Sequence, residues 1–211
     1  MTGPAKLLSG DERFTVADLY ALSDLVAAAW TDASDRDWSV PAGTLAWSCT
    51  GTADHAVDCV YAPAFFLASR RVDGYPEVGL DLTLGGDATP ARLVQSLQIA
   101  TRMLAGVVND AGSDVRAVIF RRPEVLTGAP EDFVPRAAAE FILHTHDVCE
   151  GLGVSFKPPS DLCYRLREHT RPWPMWTVAW AHGLGRSDDP WLDLVTASGR
   201  RRNSAPGSAP S

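Results

Sequence analysis

Residues 136–148, RAAAEFILHTHDV, constrain this chain more than any other stretch. Ala, Glu, Phe, Ile and Leu in unbroken succession favour helix, yet the run also carries an arginine, a glutamate, two histidines and an aspartate. At 3.6 residues per turn, and with Glu140 as the origin, His144 falls at roughly +40°, Asp147 near -20° and Arg136 near -40°. The four side chains share one narrow stripe. Ala137, Val148 and Phe141 lie beside it at roughly +60° to +100°, and Leu143 flanks the other edge, so the stripe belongs to the apolar, inward face. His146 lies roughly 200° from His144 and faces away.

The rest of the chain supplies partners for such a helix. RFTVADLYALSDLVAAAW, residues 13–30, predicts a first amphipathic helix. TADHAVDCVYAPAFFLASR, 52–70, predicts a second, capped by Thr50 or Thr52 and carrying Pro63 inside. TPARLVQSLQIATRMLAGVVND, 89–110, predicts a third, with Thr89 as cap and Pro90 at its first position. VRAVIF, 115–120, reads as a short strand, and GAPED, 128–132, opens the fourth helix, which runs over 131–151 and stops at GLG, 151–153. Shorter helices are expected near 159–170 and 189–198. The fold class is therefore all-α, a four-helix bundle with short extra helices and minor strand content. Residues 1–199 form the single domain, and 200–211, RRNSAPGSAPS with its preceding arginine, form a disordered tail.

On the second helix His55 shares a stripe with Cys59, Ala62 and Phe66, again an inward face. An inward imidazole and carboxylate left unpaired cost roughly 2–7 kcal/mol each. Two solutions satisfy them: a buried hydrogen-bonded pair tied to Arg136, or a divalent metal. Facing helices of a bundle commonly build metal sites this way, and His55, Glu140 and His144 make a three-ligand constellation with one coordination position open. Zinc suits these donors, and nickel or iron would accept them too. Cys59, one turn from His55, could enter as a fourth ligand and close the site. Arg136 and Asp147 flank the ligands on α-helical spacing; they either orient the ligands and a bound molecule or form an ordinary salt bridge. Asp54 and Asp58 beside His55 read as solvated carboxylates, with a proton-shuttle role as the alternative.

Other motif readings fail on context. HTH at 144–146 would suit a strand, but RAAAEFIL is helix sequence. A carboxylate-bridged di-iron bundle needs ExxH on two helices, whereas the spacing here is ExxxH and occurs once. The chain has no HExxH, GxSxG or GK[ST] segment. A net charge of -7 argues against nucleic acid or an anionic membrane as partner. The four cysteines, Cys49, Cys59, Cys149 and Cys163, form no CxxC pair, so reduced thiols and a cytoplasmic location are expected. Neither an 18-residue apolar run nor the basic start of a signal peptide is seen. On the third helix Ile99, Met103 and Gly106 form a second apolar strip, fit for a dimer contact or for a widened core, so monomer and homodimer both stay open.

Three segments together, W47SCTGTADH55, R136AAAE140FILH144THD147VCEGLG and P190WLDLVTASGR200, resemble the metal-binding domain of the mycothiol-dependent maleylpyruvate isomerases, among the DinB/YfiT-like four-helix bundles. The resemblance spans roughly residues 15–200. It implies a divalent ion, typically zinc, at His55, Glu140 and His144, and the low-molecular-weight thiol mycothiol as cofactor or co-substrate. The bound thiolate would add to an electrophilic carbon, as an isomerase or an S-transferase. The isomerases carry a further C-terminal domain, and the chain stops soon after Arg200, so transfer to another electrophile is the expected variant. The alternative is a metal-binding bundle that is a structural or interaction module, for which RPWPMWTVAW, 171–180, would supply an aromatic surface.

Overall fold

A computed structural model describes residues 13–77, 88–176 and 187–200. It is helical apart from one two-stranded sheet. The elements run α1 (Val16–Asp32), α2 (Cys49–Ser69), α3 (Pro90–Asp110), β1 (Ala117–Phe120), β2 (Leu126–Gly128), α4 (Pro130–Leu152), α5 (Ser160–Thr170) and α6 (Pro190–Ala197). The expected all-α bundle is what forms.

Local chemistry sets the helix starts. Thr15 and Asp18 cap α1 reciprocally, Asp18 Oδ2 accepting from the Thr15 amide at 2.8 Å. Thr89 caps α3, with Pro90 in its first turn, as read from the sequence. The α2 cap is a correction: neither Thr50 nor Thr52 serves. Ser48 Oγ accepts from the Gly51 amide at 3.1 Å, because the bridge between Pro41 and Ser48 holds the chain extended up to that residue, and Thr50 instead donates its hydroxyl to the Trp38 carbonyl. Helix α4 begins at Pro130, with Asp132 Oδ2 accepting from the Ala129 amide at 2.8 Å, and ends at Gly153 in the left-handed conformation, φ 67°.

Helices α1 and α2 each lie against both α3 and α4, with the α2–α4 contact the most extensive. The four helices thus form a ring in the order α1, α3, α2, α4 around a core that includes Leu22, Trp30, Val60, Leu97, Leu104, Phe133 and Phe141. Gly151 presses α4 against the 41–49 loop. A Cβ there would run into the Pro41 carbonyl oxygen and lie 2.7 Å from Cys49 Sγ. The strand read over 115–120 is β1, and β2, which the sequence reading missed, pairs with it antiparallel, Ala117 opposite Gly128.

Charge ties secure the C-terminal elements. Arg165 on α5 donates to Asp18 on α1 at 2.7 Å, and Arg167 on α5 pairs with the buried Asp193 of α6. Arg200, three residues after α6, clamps Asp147 of α4 through one guanidinium edge, Nε and Nη2 donating at 2.9 and 2.7 Å. Of the Trp-rich run, Trp176 is fully buried and Trp173 packs on the core; Trp180 lies outside the described residues, as do 201–211 of the predicted tail and residues 78–87. Ile99 and Met103 of the second α3 strip are exposed. No helix among the described residues is long and apolar enough to cross a membrane.

Candidate metal centre

The α2–α4 interface brings two inward stripes face to face. His55, one turn inside α2, meets His144 of α4 edge to face, with ring centroids 5.0 Å apart. Cys59 is four residues from His55 on the same helix, so its thiol lies directly over the imidazole, Sγ 3.6 Å from Nε2. One ligand atom from each of His55, Cys59 and His144 lies within 4.8 Å of the others. This cluster could hold a metal ion.

The donor set fits one. A tetrahedral zinc with bonds of about 2.0–2.3 Å separates neighbouring donors by roughly 3.3–3.8 Å, and the His55–Cys59 separation of 3.6 Å already matches that edge. Small side-chain movements would bring the third donor in. Electrostatics point the same way. Burial, joined by the neighbouring His144, holds the His55 pKa below its ordinary value despite the opposing charges of Glu140 and Asp54, so the imidazole is neutral and free to ligate. Burial, joined by the Glu140 charge, pushes the Cys59 thiol up to about 12. Without a cation this sulfur keeps its proton; a coordinated ion removes it outright.

The predicted residues are disposed as follows. Glu140 lies beside the cluster, Oε1 accepting from Arg136 Nη1 at 2.7 Å and Oε2 3.9 Å from His144 Nε2. Arg136 therefore forms an intrahelical ion pair with Glu140, and it also lies over the Phe120 ring at 5.0 Å. Its buried Nε has no hydrogen-bond partner among the described residues. Asp147 sits behind His144, Oδ2 3.4 Å from Nδ1, a contact too poorly aligned to satisfy that buried nitrogen. The main tie of Asp147 is to Arg200. Burial raises its carboxyl pKa, but His144 and Arg200 outweigh that and leave it below the ordinary value. His146 points to the other side of α4, its ring edge on Trp191 at 5.7 Å.

Two features went unread in the sequence. Trp47, 54% exposed, packs its ring against His55 with centroids 5.3 Å apart; it lies just outside α2, so helical spacing from His55 carried no signal. A hollow of about 280 Å³ opens directly beside the ligands, lined by His55, Cys59 and Arg136 at one end and by Pro63, Phe66 and Tyr75 along its wall. Phe66 and Tyr75 stack at 4.0 Å. The fold and this site define a helical bundle with a candidate metal centre at the edge of a small-molecule cavity. No family model, no curated protein and no solved structure matches the chain.

Proposed function

We propose that this protein is a divalent-metal enzyme that activates a small thiol for attack on an electrophilic carbon. The convergence of His55, Cys59 and His144, the first two of which line the hollow, carries the reading. A nitrogen-and-sulfur donor set favours zinc over magnesium or calcium. The resemblance of the His55 and Arg136–Asp147 segments to the mycothiol-dependent isomerases names mycothiol as the thiol.

The bound ion supplies one thing, stabilisation of a sulfur anion at neutral pH. This chain's residues do the rest. His55 and His144 anchor the centre from two helices, so it forms only when the bundle is closed. Glu140, held by Arg136, stands 3.9 Å from His144 Nε2 as a carboxylate able to accept the thiol's proton or to join the ligands. Asp147, fixed by Arg200, stands behind His144 at 3.4 Å from Nδ1, close enough to take up its proton once the ring turns to ligate. Phe66 and Tyr75 give the hollow an apolar wall for a substrate, beside the polar Asp58 and Arg136.

A second reading, a non-catalytic metal module, draws on the nearness of Glu140: four protein ligands would close the site. Cobalt substitution separates the two. An open centre changes its visible spectrum when mycothiol is added, and thiol-dependent consumption of an activated aryl halide follows. A closed centre shows neither, and that result would reject the enzyme.

A further inference from the structure

The hollow's metal-proximal end contains a sulfur of its own. Cys49, Cys149 and Cys163 are buried; Cys59 alone of the four cysteines is half-buried, and it lines the hollow. Resting on the metal reading above, we propose that Cys59 is itself a nucleophile, taking up small carbon electrophiles from the hollow as a thioether and thereby withdrawing the sulfur from the His55–His144 cluster.

The geometry supplies each requirement. A metal-held cysteine is a thiolate, its proton having passed to solvent on binding, and here that sulfur faces a cavity rather than protein. The hollow's volume of about 280 Å³ selects compact reagents, with an apolar wall at Pro63, Phe66 and Tyr75 and polar groups at Asp58 and Arg136. With an alkyl halide, the Cys59 sulfur provides the electron pair of the new S–C bond and the halide leaves with the pair of the broken bond. With an α,β-unsaturated carbonyl, the sulfur pair forms the bond to Cβ, the C=C pair shifts to join Cα to the carbonyl carbon as the C=O pair moves to oxygen, and water then protonates Cα, restoring the carbonyl and leaving hydroxide. In either case the thioether is a far poorer ligand than the thiolate. Alkylation therefore loosens the ion, and the centre responds to electrophiles as a switch, whether or not an external thiol turns over at it.

The test uses the full chain, zinc-loaded, with iodoacetamide and N-ethylmaleimide as probes. Peptide mapping locates adducts while a chromogenic chelator reads released zinc. The expected result is a single adduct on Cys59, matched by zinc release, with the other three cysteines unlabelled. Stripping the zinc, or His144→Ala, should slow Cys59 labelling at least about tenfold, although the thiol remains in place; a merely accessible cysteine would react as fast or faster. Equal rates with and without zinc, or an inert Cys59 in zinc-loaded protein, would overturn the inference. The zinc content of the untreated sample judges the metal reading separately: zinc bound beside an inert Cys59 leaves that reading standing, whereas no zinc in the wild type removes both.

Discussion

Two histidine sites in this molecule differ in chemistry. His169 on α5 is buried, and both ring nitrogens are occupied: Nδ1 accepts from the Phe14 amide at 3.2 Å and Nε2 meets Asp132 Oδ1 at 3.1 Å. Since an amide can only donate, Nδ1 is the acceptor and Nε2 carries the proton toward the carboxylate. That ring ties the chain before α1 to the first turn of α4, and its valences are used up. His144, on the far part of the same α4, has a buried Nδ1 without an aligned partner and an Nε2 3.9 Å from the nearest carboxylate oxygen. Nε2 of His55 beside it contacts the Cys59 thiol at 3.6 Å. A saturated imidazole is a strut. A cluster of undersatisfied ones, set beside a cavity, could hold a metal ion.

The comparison breaks most decisively on metal content. His144→Ala should weaken zinc binding by at least about a hundredfold, since even outer-shell changes cost 10–100-fold, and His55→Ala should do the same. His169→Ala should leave the zinc content of tag-free protein unchanged by elemental analysis. Zinc lost equally in all three would mean that the two clusters are not different in kind. The strut shows itself instead in stability. His169→Ala should cost about 2 kcal/mol in urea unfolding, because it strands the buried Phe14 N–H and opens a cavity; His144→Ala, measured without metal, should cost less.

How much of this contrast was legible in the sequence depends on range. The stripe of Arg136, Glu140, His144 and Asp147 follows from helical spacing, and so does the pairing of His55 with Cys59. The helices themselves were marked by Pro90, Pro130 and the glycines of GLG, and the bundle followed. What spacing along one helix cannot give is the choice among donors. Glu140 and Cys59 both lie one turn from a histidine; the guanidinium of Arg136 engages the carboxylate, while the thiol lies over His55. Long-range ties were equally hidden. Arg200 meets Asp147 across 53 residues and His169 meets Phe14 across 155, distances at which a single sequence carries no periodic signal. β2 was missed for a related reason, three residues being too short for alternation to register.

A smaller effect sharpens the strut side of the comparison through pH. Burial raises the Asp18 carboxyl pKa, but hydrogen bonds from Arg165 and from the Thr15 amide and hydroxyl, with the Arg165 charge, outweigh it and leave it below 3.8. A depressed acid stabilises the fold fully above its unfolded value, and that stabilisation is lost as pH falls through the folded one. Asp18→Asn should therefore cost about 1 kcal/mol at neutral pH. The gap to wild type should hold steady until pH falls below 3.8 and close beneath it. A gap that widened on acidification would contradict the assignment of Asp18 as a charged cap bridging α1 and α5.

The smallest effect comes from the histidine nearest to the site in sequence. His146 is two residues from His144, so any reading based on sequence proximity would count it with the ligands; the helix turns it roughly 200° away, onto Trp191 of α6. His146→Ala should keep full zinc binding and lose only about 0.5 kcal/mol, the worth of one aromatic edge contact. Paired with His144→Ala in the same metal analysis, it isolates direction on the helix from position in the chain. Zinc retention in His146→Ala with loss in His144→Ala assigns the centre to the α2-facing stripe, and the reverse pattern would place any bound ion on the α6 side, against Trp191.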